Sequence, residues 1–304
     1  MNDVAARVGG VLPVLYSLFD EDGGLRAGAF AAQTAHCLQA SARGVVLFGF
    51  VTQFYRLTAE EKRRILAETA EALDGAGLLG VTVMEATVEG QLALVRTAEA
   101  AGADFLILQP PLGPPGCAPD WVSMIEAVAG ATALPVTIQN ATIAGATLAD
   151  AALLTLQDRV PNLVGVKAET GSAEVAAFAR QHGDRFRVLT GNWGVEYPFF
   201  RENGAHGLIP APNFVPEQVA IHDALSGGDD GFGRALALHG RILPLMQFLR
   251  ERATVEEQLL LGKRALVRRI GLAPCAGRSP GPRVADAAVA RHVDCLCDAL
   301  FGSP

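Results

Sequence analysis

Short apolar runs bounded by turn residues recur along this chain, and between them apolar positions fall three or four residues apart. Eight runs read as strands: 11–17 (VLPVLYS), 44–49 (GVVLFG), 78–83 (LLGVTV), 104–109 (DFLILQ), 134–139 (LPVTIQ), 162–167 (NLVGVK), 185–190 (RFRVLT) and 206–210 (HGLIP). The stretches between them carry helical spacing and helix starts with a capping hydroxyl: Thr58 before AEEKRRIL, Thr87 before VEGQLALV and Ser172 before AEVAAFA.

Strands that alternate with helices call for a parallel sheet, because each crossover needs a dozen or more residues. Eight such units in about 215 residues fit a closed (β/α)8 barrel better than an open sheet, so the fold class is α/β of the TIM-barrel type. After Pro216 the rhythm becomes helical only, over 216–226, 230–250, 254–270 and 284–300, with APCAGRSPGPR (273–283) interrupting the last two. The expected division is a catalytic barrel over 1–224 and a C-terminal helical region over 225–304.

Composition narrows the function. With 304 residues, half of them hydrophobic, the chain can bury a large core. Its 25 basic residues are scattered among 32 acidic ones for a net charge of −7, which offers no footprint for nucleic acid. The opening MNDVAARVGG lacks the apolar core of a signal peptide, and no run approaches the roughly 18 apolar residues of a membrane helix, so the expectation is a cytoplasmic protein without a membrane partner. The five cysteines, Cys37, Cys117, Cys275, Cys295 and Cys297, and the six dispersed histidines show no metal-ligand spacing; buried or idle thiols are expected. Neither GxxxxGK[ST] nor a strand-borne GxGxxG occurs, so no cofactor is indicated and catalysis falls to side chains.

Three lysines stand against twenty-two arginines. Lys62 in EEKRR and Lys263 in GKRALVRR fall in charged helical stretches and read as solvated cations. Lys167 instead ends the sixth apolar run, which places its amine at the C-terminal rim where barrel active sites assemble. Desolvation there favours the neutral amine that attacks carbonyls, and an iminium formed on it acts as an electron sink. The structural alternative is a buried salt bridge to a rim carboxylate such as Glu169.

The chain resembles the dihydrodipicolinate synthase / N-acetylneuraminate lyase family of Schiff-base aldolases and dehydratases. The markers run almost end to end: GVLPVLYSLFDEDGGL, GFVTQFYRLTAEEK, GADFLILQPP, LPVTIQNA, GVKAETG and GAHGLIPAPNFVPE. The resemblance implies a (β/α)8 barrel with a helical C-terminal region, commonly a homotetramer, and a Schiff-base lysine at Lys167. It also implies that a 2-oxo acid such as pyruvate is held by a loop written GTTGE in typical members; here it reads Gly49-Phe50-Val51-Thr52-Gln53. Thr52 and backbone N–H groups remain as carboxylate donors, with Val51, Thr52 and Gln53 as the expected binding positions.

Two further departures concern protons. The family's strand-five tyrosine is replaced by Gln139, and a tyrosine that reaches a neighbouring subunit's site is replaced by Leu112. Glutamine is neither a practical acid nor a base. Gln139 together with Lys167-Ala168-Glu169-Thr170 is similar to the branch containing 2-keto-3-deoxy-L-arabinonate dehydratase.

If strand six continues, Glu169 points to the same side as Lys167 and can serve as the missing base. Asn192 or Trp193 after strand seven can meet a sugar-acid hydroxyl or an apolar face, Ile209 reads as pocket wall, and Tyr55 as either a hydroxyl donor or a packing residue. Glu196 and Tyr197 read as too far down to act. The leading reading is a Schiff-base lyase that dehydrates a 2-keto-3-deoxy sugar acid, with Lys167, Glu169 and Gln139 carrying the chemistry. The alternatives are an aldolase using the same iminium and a non-catalytic 2-oxo-acid binder.

Overall fold

The computed structural model describes residues 3–110, 120–142, 147–228, 230–282 and 284–302; Leu112 and Cys117 lie outside them. Eight strands are present: β1 (Gly10–Val11), β2 (Gly44–Leu47), β3 (Leu78–Val83), β4 (Phe105–Leu108), β5 (Val136–Ala141), β6 (Leu163–Glu169), β7 (Arg187–Thr190) and β8 (Gly207–Leu208). All pair in parallel: from β2 to β8 each strand pairs with the next in sequence, and β1 pairs with β8. The ring is nearly closed by a bridge between Val14 and Val46, so this is a TIM barrel.

The first strand is shorter than the apolar run predicts. Pro13 has no N–H to give the ladder, although its carbonyl accepts from Val46 N–H at 2.8 Å and keeps the seam together. Val8, Leu12, Val14, Val46, Leu78, Phe105, Ile107, Leu189 and Ile209 fill the barrel, and a larger cluster lies between the strands and the surrounding helices.

The helices in chain order are α1 (Asp3–Arg7), α2 (Ala29–Gln39), α3 (Ala59–Leu73), α4 (Val88–Ala100), α5 (Trp121–Ala129), α6 (Asp150–Arg159), α7 (Ser172–His182), α8 (Tyr197–Glu202), α9 (Val215–Leu225), α10 (Gly231–Arg250), α11 (Val255–Arg269) and α12 (Ala287–Phe301). Thr58 caps α3 in a reciprocal box with Glu61, and Thr87 caps α4. Ser172 is not a cap. Gly171 holds that position, its N–H donating to Glu174 Oε2 at 3.2 Å, while the Ser172 hydroxyl donates to Glu196. Helices α10 to α12 pack into one apolar cluster with Tyr197, Leu208 and Phe214 of the barrel, which sets the end of α10 and the start of α11 against the barrel rim. Among the described residues no helix is long and apolar enough to cross a membrane.

Candidate active site

The polar residues of three neighbouring strands meet at the C-terminal end of the barrel. Gln139 on β5 and Lys167 on β6 are register partners, and Ala141 pairs with Glu169 in the same ladder. Side chains alternate along a strand, so Lys167 and Glu169 emerge on one side. Lys167 Nζ lies 3.1 Å from Glu169 Oε2, and the two side chains retain only 11% and 15% of their exposure. The ion pair anticipated as the structural alternative is thus present, on the wall of a cavity of about 390 Å³.

Glu169 is held from two further directions. Gln139 Nε2 donates to Oε2 at 2.7 Å, and the N–H of Asn192 donates to Oε1 at 3.1 Å. Gln139 Oε1 in turn accepts from Gln109 Nε2, at the end of the β4 run, which fixes the orientation of the Gln139 amide. Gln109 was missed in the sequence reading. The signal was available: the apolar runs of strands four, five and six end in Gln109, Gln139 and Lys167, a polar residue at each rim position.

After β7 the chain passes through two successive left-handed residues, Asn192 (φ 51°) and Trp193 (φ 63°). For residues other than glycine such conformations cost on the order of 1–3 kcal/mol each, and the surroundings must hold them. Gln218 Nε2 donates to the Trp193 carbonyl at 3.0 Å, and Arg250 Nε donates to Asn192 Oδ1 at 3.2 Å. Gly191 makes the approach possible: a Cβ there would lie 1.8 Å from Glu169 Oε1 and 3.1 Å from Lys167 Cε. The same turn brings Glu196 onto the cavity wall, where Ser172 Oγ donates to it at 2.5 Å; this corrects the expectation that it lies too far down. Tyr197 does stay away, buried with its hydroxyl against His222 Nδ1 at 2.5 Å.

The carboxylate-loop residues separate. Phe50 and Val51 line the cavity, and Ile209 forms wall as expected, beside Val14 and Ile107. The 3-10 turn Phe50–Thr52 spends the N–H groups of Thr52 and Gln53 on Gly49 and Phe50, so those of Phe50 and Val51 precede its first hydrogen bond. Thr52 does not line the cavity: its hydroxyl accepts from Phe48 N–H at 3.0 Å and donates to the Leu15 carbonyl at 2.8 Å, bracing the loop from below. Gln53 also turns away from the cavity, donating to Glu256 Oε2 at 2.8 Å and accepting from Lys263 Nζ.

Lys263 is therefore no solvated cation. It is 1% exposed, packs its ammonium 4.7 Å from the centre of the Phe19 ring, and is pushed down to about 8 by burial, against the opposing pull of Cys275 and Glu256. Lys62 is also less exposed than expected, paired with Glu85 at 2.6 Å. Tyr55 donates to Glu256 Oε1 at 2.7 Å, so the loop after β2 is tied to α11 by Gln53, Tyr55 and Arg56 together.

The profile of the Dihydrodipicolinate synthetase family matches residues 7–285. A Rhodococcus opacus protein named "Probable 5-dehydro-4-deoxyglucarate dehydratase" is 29% identical over 238 residues, covering 76% of this chain and 77% of its own. A Salinibacter ruber 4-hydroxy-tetrahydrodipicolinate synthase is 25% identical over 242 residues, covering 78% and 79%. In fold, the chain superposes on a sialic acid aldolase of Ruminococcus gnavus with a TM-score of 0.84 at 19% identity, covering 96% and 98% of the two chains.

Proposed function

Because the chain belongs to the dihydrodipicolinate synthetase family, whose relatives are lyases, we propose that it is a Schiff-base hydro-lyase acting on a 2-keto-3-deoxy sugar acid. The observation that carries this reading is the Lys167–Glu169 pair on the cavity wall, with Gln139 where the family places a proton-relaying tyrosine.

The N–H groups of Phe50 and Val51 take the substrate carboxylate, with Val51 as the binding position retained from the loop. Lys167 Nζ attacks C2, the carbinolamine loses water, and an iminium forms. Glu169, held by Gln139 and Asn192, takes a C3 proton; the enamine that results expels the C4 hydroxyl, which leaves as water with that proton. Hydrolysis of the iminium returns the amine and releases the product. A buried carboxylate beside the reacting carbon suits both proton steps, since one group takes the proton and returns it. Asn192, Ile209 and Arg250 line the part of the cavity that receives the rest of the substrate, and a second carboxylate would find its cation at Arg250.

The name of the Rhodococcus relative supports this substrate class: a glucarate carries a carboxylate at each end, and 5-dehydro-4-deoxy numbered from the other end is 2-oxo-3-deoxy. Aldol cleavage through the same iminium is the second reading, favoured by the synthase and aldolase relatives, and release of pyruvate separates it from dehydration. The enzyme would act as a homo-oligomer, a tetramer by family resemblance.

The test is intact-protein mass spectrometry after incubation with 2-keto-3-deoxy sugar acids or pyruvate and reduction with borohydride, followed by peptide mapping. An adduct on Lys167 is expected; an adduct confined to Lys263, or none with any 2-oxo acid, would overturn the reading.

A further inference from the structure

At the opposite end of the barrel from Lys167, where the strands begin, arginines and neutral histidines gather around a cavity whose described lining includes no acid. Arg43 precedes β2, Arg187 begins β7, His206 precedes β8, and Arg201 and His222 come down on α8 and α9; together with Gly9 and Gly10 they line a second cavity of about 390 Å³. Among the described residues Arg7, Arg43, Arg187 and Arg201 make no ion pair, although thirteen ion pairs occur elsewhere among those same residues. Asp223 is the acid nearby, and it lines an adjoining cavity with Arg7, Arg43 and His222.

The donors there are only partly spent. Arg187 Nε donates to the Val8 carbonyl at 2.9 Å, which holds the stem and leaves its terminal nitrogens uncommitted. Arg201 donates one terminal nitrogen to Ser226 Oγ at 3.2 Å, and its enclosed Nε has no acceptor. His206 Nδ1 accepts from the Val188 N–H at 3.1 Å, so the ring proton resides on Nε2 as a further donor. Gly9 keeps the space open, since a Cβ would stand 2.7 Å from a terminal nitrogen of Arg187. Burial first, and then the charges of Arg187 and Arg201, push His206 down to about 4; burial first, and then Arg201 and Arg43, lower Arg187. Like charges so placed repel one another, and a bound anion relieves the repulsion.

We propose that this pocket is a binding site for a small, multiply charged oxyanion of the phosphate class, either inorganic phosphate or the phosphoryl group of a small metabolite. Guanidinium forks match phosphoryl oxygens in pairs, and donors arriving from β7, β8, α8 and the β2 approach converge from several directions, which suits a tetrahedral ion better than a planar carboxylate. The cavity is larger than phosphate alone requires and leaves room for an organic stem. Because the site stands at the far end of the barrel from Lys167, occupancy stabilises the fold without competing with substrate.

The test titrates the full chain with inorganic phosphate and separately with glycerol phosphate, by calorimetry and thermal melting, at an ionic strength held constant with sodium chloride. Saturable binding below about 1 mM with a raised Tm is expected, retained in Lys167→Ala and weakened at least tenfold in Arg187→Gln and in the exposed-site variant Arg43→Gln. Tighter binding of glycerol phosphate than of phosphate identifies a metabolite site, and the reverse identifies a phosphate site. The proposal fails if chloride at equal ionic strength gives the same shift, or if binding is lost in Arg250→Ala but kept in Arg43→Gln. It fails equally if Arg43→Gln dissociates an oligomer that phosphate does not bind, since an acid of a second copy would then fill the pocket.

Discussion

Glu169 Oε2 lies 3.1 Å from Lys167 Nζ, two positions further along the same strand, and accepts a second hydrogen bond from Gln139 on the neighbouring strand. The carboxylate is thereby placed beside the atom on which the proposed iminium forms. Glu169→Gln keeps an acceptor for the Asn192 N–H but loses the base. Turnover is expected to fall by about a hundredfold or more, while the borohydride adduct on Lys167 still forms. Loss of both, or of neither, would place Glu169 outside the proton steps.

Gly191→Ala tests the geometry without removing a functional group. Its Cβ would fall 1.8 Å from Glu169 Oε1, so the carboxylate must move. Activity is expected to drop at least tenfold with a folded, cooperatively melting protein, a consequence of the precision that near-attack positioning demands. Wild-type kcat in this variant would show that the Glu169 position is not critical.

Arg250 is the cation that the C-terminal helices contribute to the cavity, bonded to Asn192 Oδ1 at 3.2 Å. Arg250→Ala is expected to raise KM about tenfold or more for a sugar acid with a carboxylate at both ends, and much less for one ending in a hydroxymethyl group. Equal effects on the two substrates would remove it from substrate recognition.

Lys263 gives a pH signature. Burial lowers it from 10.5 to about 8 in the folded chain, so between those values the unfolded chain holds a proton that the folded one has released. Stability attributable to this residue therefore rises with pH from about 8 to 10.5, and its charged form is destabilising below that window. Lys263→Met is expected to flatten this rise in urea midpoints, and to loosen the loop after β2 because Gln53 loses its donor.

His206 acts on the acid side. Its folded value near 4 against 6.5 unfolded means that the unfolded chain gains a proton first as pH falls, so stability is complete above about 6.5 and is lost progressively toward 4. His36, His222 and His239 are shifted in the same direction and add to the slope. His206→Asn, which keeps an acceptor for the Val188 N–H, is expected to reduce the loss of urea midpoint between pH 7 and pH 5; an unchanged slope would assign the acid sensitivity to the other histidines.

Much of this protein is legible in one dimension. Alternating apolar runs and helical spacing determine the strands and the closed parallel sheet, because hydrogen bonding and burial constrain each element locally and parallel strands need crossovers. A lysine that ends the sixth run must then stand at the rim, and a carboxylate two residues on must share its side. Three-dimensional packing decided the rest. Lys263 sits in a stretch rich in charge, yet α11 is covered on more than one side, burying Leu259, Leu260, Leu261 and Gly262 with it, so helical periodicity alone misplaced it in solvent. Its partners Gln53 and Glu256, the arrival of Arg250 beside Asn192, and the cations gathered under the barrel join residues far apart in the chain. Local pattern specifies which face of an element is apolar; only the tertiary structure determines what that face meets.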